Sequence, residues 1–174
     1  MNVREYFELL AAKHLSVKHT DEKPHFACSV DDAETLMARK LYYPAIFLDE
    51  GDILFTGSAG NELVEREYSL AIVTHVKDAG NKNEIAAAFS TTEDIMHDIV
   101  ARMVQDRRKG LEPVRRFSVI GSEAHRVELV EAGLYGWIVL FSLSTKFCDI
   151  STNAFAPDTI ESTESETNNS ETDD

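Results

Sequence analysis

AGLYGWIVLFSLSTKF, residues 132–147, decides the fold: it holds the only tryptophan and, from Trp137 to Leu143, an apolar run with no charge on either face. A strand with one face in water alternates apolar and polar residues. Here Trp137, Val139, Phe141 and Leu143 share one face while Ile138 and Leu140 share the other, because side chains alternate across a strand. Both faces therefore need a cover. The run predicts the final, central strand of a sheet, with Gly133 and Gly136 bending the chain into it.

Upstream, "HRVELVEAG" and "VRRFSVIG" predict two more strands, and "EAGLYG" a hairpin connection into the last one. The clearest alternation is in "EREYSLAIVTHVK", where Tyr68, Leu70, Ile72, Thr74 and Val76 face one way and small residues the other. That pattern suits a central strand with a helix packed on it. "AIFLDEGDILFTG" reads as two short strand pieces around the turn "DEGD", and "HFACSV" as another short strand.

Helices are marked by their caps. Asn2 and Glu5 stand at capping-box spacing before the stripe Val3, Tyr6, Phe7, Leu10, His14, which predicts a helix over residues 3–15. "DDAETLMARKLYY" has acidic residues first and Leu36, Met37 and Leu41 at helical spacing, and Pro44 stops it. Asn81 with Glu84 caps a short "IAAAF" element that Ser90, Thr91 and Thr92 interrupt. Ser90 with Glu93 then caps the longest helix, whose stripe is Ile95, Ile99, Arg102 and Met103, ending at Gly110 and Pro113. Three consecutive strands at the end argue for an α+β fold: a mixed, mostly antiparallel sheet flanked by two or three helices.

The 174 residues are 43% hydrophobic with 9 Phe, 5 Tyr and 1 Trp, enough for one core without metal or disulfide. The expected division is a single α+β domain over residues 1–155 and a disordered acidic tail over 156–174. Half of the net charge of -14 lies in that tail, where Asp158, Glu161, Glu164, Glu166, Glu171, Asp173 and Asp174 meet no basic residue. Cys28 and Cys148 match no ligand or redox spacing and read as reduced thiols. A charged N-terminus and the lack of any apolar window near ~18 residues predict a protein that is soluble and intracellular when made.

Catalytic signatures fail one by one. "GSAG" lacks the lysine and spacing of a phosphate loop, no dinucleotide fingerprint is present, and there is no Gly-x-Ser-x-Gly elbow. His19, His25 and Cys28 have no matching second half of a metal site, and His97 among Glu93, Asp94 and Asp98 reads as an acidic first turn on a helix dipole. Asp49, Glu50 and Asp52 read as a solvated turn. No catalytic residue, metal or cofactor is assigned. The basic residues are more informative. Arg107, Arg108 and Lys109 end the long helix and Arg115 and Arg116 follow. They complement the helix dipole or anchor an acidic partner surface, possibly a neighbouring copy. The overall charge argues against direct nucleic-acid binding.

The ordered features, an N-terminal amphipathic helix, "YYPAIFL", "REYSLAIVTHV", "TTEDIMHDIVARMVQDRR" and a terminal "GWIVLFSLS", resemble the tail-terminator and tail-completion (neck) proteins of tailed bacteriophages and the tube-end proteins of phage-like injection systems. The resemblance implies a non-enzymatic virion component, assembled first in the host cytoplasm. It implies a homo-oligomeric ring at the tail end or head-to-tail junction, meeting tube, sheath or connector proteins, with no small-molecule substrate and no membrane. In such a ring the second face of the last strand is covered by a neighbour, and Arg107, Arg108, Arg115, Arg116, Tyr135 and Trp137 are the expected interface residues. Cover from within the chain is the competing expectation. The alternatives in function are an intracellular adaptor from a mobile element that uses its acidic tail and, last, a small enzyme.

Overall fold

The computed structural model describes residues 1–28 and 41–146. The helix expected around Leu36 and Met37, Cys148 and the acidic tail lie outside the described residues. Helix α1 (Val3–Lys13) begins as the capping box requires: the Glu5 amide donates to Asn2 Oδ1 at 2.8 Å and the Asn2 amide to Glu5 Oε2 at 3.0 Å. Strand β1 (Phe26–Cys28) follows, then β2 (Ala45–Ser58), β3 (Asn61–His75), α2 (Lys82–Arg108), β4 (Glu123–Leu129) and β5 (Leu134–Lys146). The strands form one sheet in the order β1-β2-β3-β5-β4. Only the β1–β2 pair is parallel, so the sheet is mixed and mostly antiparallel, the α+β architecture the sequence predicts.

β3 lies at the centre, and β5 pairs with it along its whole length, from Leu63 opposite Lys146 to His75 opposite Leu134. Both helices pack on one face. There Ile46, Leu48, Leu70, Ile72, Val139, Phe141 and Leu143 meet Tyr6, Phe7 and Ala11 of α1 and Ile95, Ile99 and Met103 of α2, all 6% exposed or less. Burial of such side chains stabilises the fold by about 1.5–3 kcal/mol each.

Four local expectations are corrected. "DEGD" is not a turn: β2 runs through it, and Gly51 and Asp52 make a bulge opposite Glu67, between the Glu50–Tyr68 and Ile53–Arg66 pairs. The reversal comes later, at Ala59 and Gly60 between the paired Ser58 and Asn61, where Gly57 and Gly60 take φ of 101° and 79°. Such φ values favour glycine, and this is what "GSAG" supplies. The Ser90-Thr91-Thr92 run does not interrupt a helix, since α2 is continuous. Thr92 is fully buried and its hydroxyl donates to the Ala88 carbonyl at 2.8 Å and contacts that of Phe89 at 3.1 Å, so it finds its partners inside the helix.

"VRRFSVIG" forms no strand. Val114–Arg116 is a 3-10 turn, and Val114 and Phe117, three apart, drop into the core at 0% and 2% exposure. Gly136, finally, does not bend the chain. It sits within β5 between Val73 and Val127, where a Cβ would lie 1.9 Å from the Ile72 carbonyl oxygen. Close backbone approach, not flexibility, requires glycine there. Gly133, at φ 63°, makes the turn into β5 after the 3-10 turn Val130–Ala132.

Candidate functional site

The face assignment of β5 stands, and its covers divide. Tyr135, Val139, Phe141 and Leu143 are buried beneath the helices, with Trp137 half-buried among them. On the other face Leu134 is covered by the chain itself, in a cluster with Ala45 and Val73 to which Leu41, Tyr43, Phe47 and Val127 add. Further along that face Ile138 is half-buried and Leu140 is 40% exposed.

Tyr135 and Trp137 are engaged within the chain. Tyr135 is 2% exposed and meets Phe89 edge-on at 6.1 Å. Trp137 Nε1 donates to the Phe89 carbonyl at 3.2 Å, and the Arg126 guanidinium lies 5.5 Å from its ring and 4.7 Å from that of Phe89. Arg126 from β4 thereby caps the aromatic end of α2 through cation–π contact.

The basic residues do converge, on a corner formed by the end of α2 and the Val114–Arg116 turn. Arg107 is the hinge of that corner, donating to the Phe117 carbonyl at 3.0 Å while the Phe117 ring stands 5.9 Å from Phe141. Arg116 is half-buried. Arg108 and Arg115 are exposed, the latter 3.8 Å from Glu112, a distance at which a solvated pair contributes little. Leu111, 43% exposed, lines the cleft between α1 and α2, and Val119 and Ile120, in the chain that follows Phe117, are 44% and 91% exposed.

Beyond the helices, β2, β3 and β5 continue as a three-stranded arm. The bulge at Gly51 and Asp52 shifts the side-chain phase by one, so Ile53 and Phe55, opposite Arg66 and Val64, stay on the face that carries Ile46 and Leu48. Ile53 is 47%, Leu54 59% and Phe55 70% exposed. On the face of Ile53 and Phe55, Arg66 is bonded to Glu50, while Leu54, Glu65, Glu67 and Asp49 lie on the opposite face. At the tip, the Gly60 amide donates to Glu62 at 2.8 Å and lowers the carboxyl's proton affinity.

Sequence reasoning missed one polar cluster. Asp106 is buried at 2% and its Oδ2 accepts from Tyr6 Oη at 3.1 Å and Arg102 Nε at 2.8 Å, while Oδ1 has no hydrogen-bond partner and lies 4.0 Å from Lys109 Nζ. Burial, and then Asp106, push the Tyr6 hydroxyl well above its ordinary pKa, and Arg102's own hydrogen bond to Asp106 raises that of the guanidinium. The signal was present: Asp106 continues the stripe Ile95, Ile99, Met103, and a carboxylate on an apolar stripe needs a partner from another element. A cleft of about 260 Å³ between α1 and α2 adjoins this cluster, and His14 and Asp98 at its rim contact each other at 3.3 Å. These groups are engaged with one another and clamp the two helices.

His25 donates its amide to His19 Nδ1 at 2.9 Å, and its own ring contacts the Pro44 carbonyl at 2.8 Å, so both rings serve the loop before β1. Among the described residues no three His, Cys, Asp or Glu side chains come together as a metal site would need, and no helix is long and apolar enough to cross a membrane. Neither a family model nor any curated protein matches the chain.

Proposed function

We propose that this chain is a non-enzymatic structural subunit that assembles with its own copies into a ring. Its place is the tail end or head-to-tail junction of a tailed-phage or phage-like particle, where tube, sheath or connector proteins are its neighbours. The position in a particle rests on the likeness of element order to tail-terminator and neck proteins. Self-assembly rests on the arm, where Ile53 and Phe55 share one face of the sheet at 47% and 70% exposure. Exposed apolar side chains grouped on one face mark a protein-binding surface, and a homo-oligomer reuses one such face in every copy.

The polar groups of the α1–α2 cleft favour this reading over catalysis, because Tyr6, Arg102 and Asp106 are committed to one another. Electron microscopy of the purified full chain tests the proposal. Closed rings of one diameter are expected; a field of single subunits at every concentration would sink it.

A further inference from the structure

We infer that the chain's own acidic C-terminal segment, residues 158–174, seats on the basic corner at the end of α2, its carboxylates against Arg108, Lys109 and Arg115. The contact lies within one chain and holds whether or not copies assemble. Three observations carry it: the closure of the corner, its excess of charge and the place where β5 ends.

The corner is a closed loop. Arg107 donates to the Phe117 carbonyl at 3.0 Å, so residues 107–117 begin and end at one point. The Gly110 and Leu111 amides bond back to the Arg107 and Asp106 carbonyls and tighten the first half of the loop. Arg107, Arg108, Lys109, Arg115 and Arg116 stand within it, five of the 17 Lys and Arg of the chain, beside a single acid, Glu112. Closure holds these charges on one small surface, where Arg108, Lys109 and Arg115 are exposed.

The charge exceeds what is needed to keep it there. Glu112 lies 3.8 Å from Arg115, and the buried Asp106 carboxylate already accepts from Arg102. The end of a helix offers about half a negative charge, so with Glu112 the five cations meet roughly one and a half. Residues 158–174 have the opposite excess, seven carboxylates and no basic residue. Opposed potentials of this kind steer association.

The end of β5 puts the segment within reach. Phe117 stands 5.9 Å from Phe141, and β5 continues from Phe141 to Lys146. At ~3.3 Å per residue the strand ends about 17 Å beyond that contact. The chain from Phe147 to Asp158 spans up to about 40 Å. The acidic residues can therefore return to the corner of their own chain, and the tether turns an encounter between molecules into one within a molecule. Seated there, the segment competes with any acidic partner for the corner.

Cross-linking of the full chain with a carbodiimide, which joins an amine to a carboxylate in direct contact, tests the inference. An equal mixture of isotope-labelled and unlabelled chains separates bridges within a chain from bridges between chains. At about 10 mM salt the expected product joins Lys109 to Glu161, Glu164 or Glu166 of the same chain. Its yield should fall about tenfold at about 1 M salt, where the screening length shrinks from about 30 Å to about 3 Å. A similar fall is expected in R108E/R115E, which changes exposed side chains only and leaves Lys109 in place. Circular dichroism establishes that the variant is folded, and the salt dependence of the wild type stands without it. No bridge from Lys109 to residues 158–174, a bridge formed only between chains, or a yield indifferent to salt overturns the contact. So does a folded R108E/R115E that cross-links like the wild type. None of these outcomes bears on the rings sought by electron microscopy.

Discussion

β2 carries Ile46 and Leu48 at 1% and 0% exposure and, farther along the same face of the sheet, Ile53 and Phe55 at 47% and 70%. The two halves have the same residue types, the same partner strand and the same orientation. They differ in what lies above them: α1 and α2 cover the first half, and no described helix reaches the second. Apolar alternation specifies which way a side chain points and leaves open what it meets there. The bulge at Gly51 and Asp52 sharpens the contrast, since a regular strand would have turned Ile53 and Phe55 to the other face. One half of the strand thus stabilises the subunit, and the other leaves Ile53 and Phe55 exposed.

The covered half should respond most strongly to substitution. Ile72 is fully buried at the centre of β3, and Ile72→Ala is expected to cost about 4 kcal/mol through lost burial and the cavity left behind. Chemical denaturation checks this. A loss below about 1 kcal/mol would mean that the helices do not close over the sheet as described.

A smaller effect is expected where the helices are clamped to each other. Tyr6→Phe removes the hydroxyl that donates to buried Asp106, at a cost of about 2 kcal/mol. It should also change the alkaline limb of the stability curve. Burial raises the folded-state pKa of Tyr6 above its unfolded value of about 10. The unfolded chain therefore releases that proton first, so stability is complete below about pH 10 and falls as pH rises beyond it. Without the hydroxyl the fall should be shallower. It should not vanish, because burial raises Tyr43 and Tyr68 as well. An unchanged alkaline limb in Tyr6→Phe would remove Tyr6 from the buried set.

What could be read from the sequence follows the same division. The capping box at Asn2 and Glu5, the alternation through Tyr68, Leu70 and Ile72 and the two-faced run from Trp137 to Leu143 were legible because each is a local pattern with a local cause. The α+β class followed from them. The bulge at Gly51, the continuity of α2 through Thr92 and the turn at Val114 were not, since each depends on a partner distant in sequence or on hydrogen bonds that propensity does not count. Of the expected interface, the arginines were legible as a cluster, and Arg107 proved to hold the corner together. The arm escaped notice because Ile53 and Phe55 look like core residues until the extent of the helices is known. Asp106 escaped because its partner Tyr6 lies 100 residues away.

The least effect on stability, and the greatest on assembly, is expected at the arm. Ile53→Ser with Phe55→Ser alters exposed positions, so the thermal midpoint should move by no more than a surface change of about 0.5 kcal/mol implies. The most direct measurement is the solution mass of this double variant beside the wild type over a common concentration range, with thermal melts of both. The expected result is an oligomeric wild type and a folded, monomeric variant with a nearly unchanged melt. A wild type that is monomeric throughout, or a variant that assembles as well as the wild type, would contradict the assignment of this arm to a neighbouring copy.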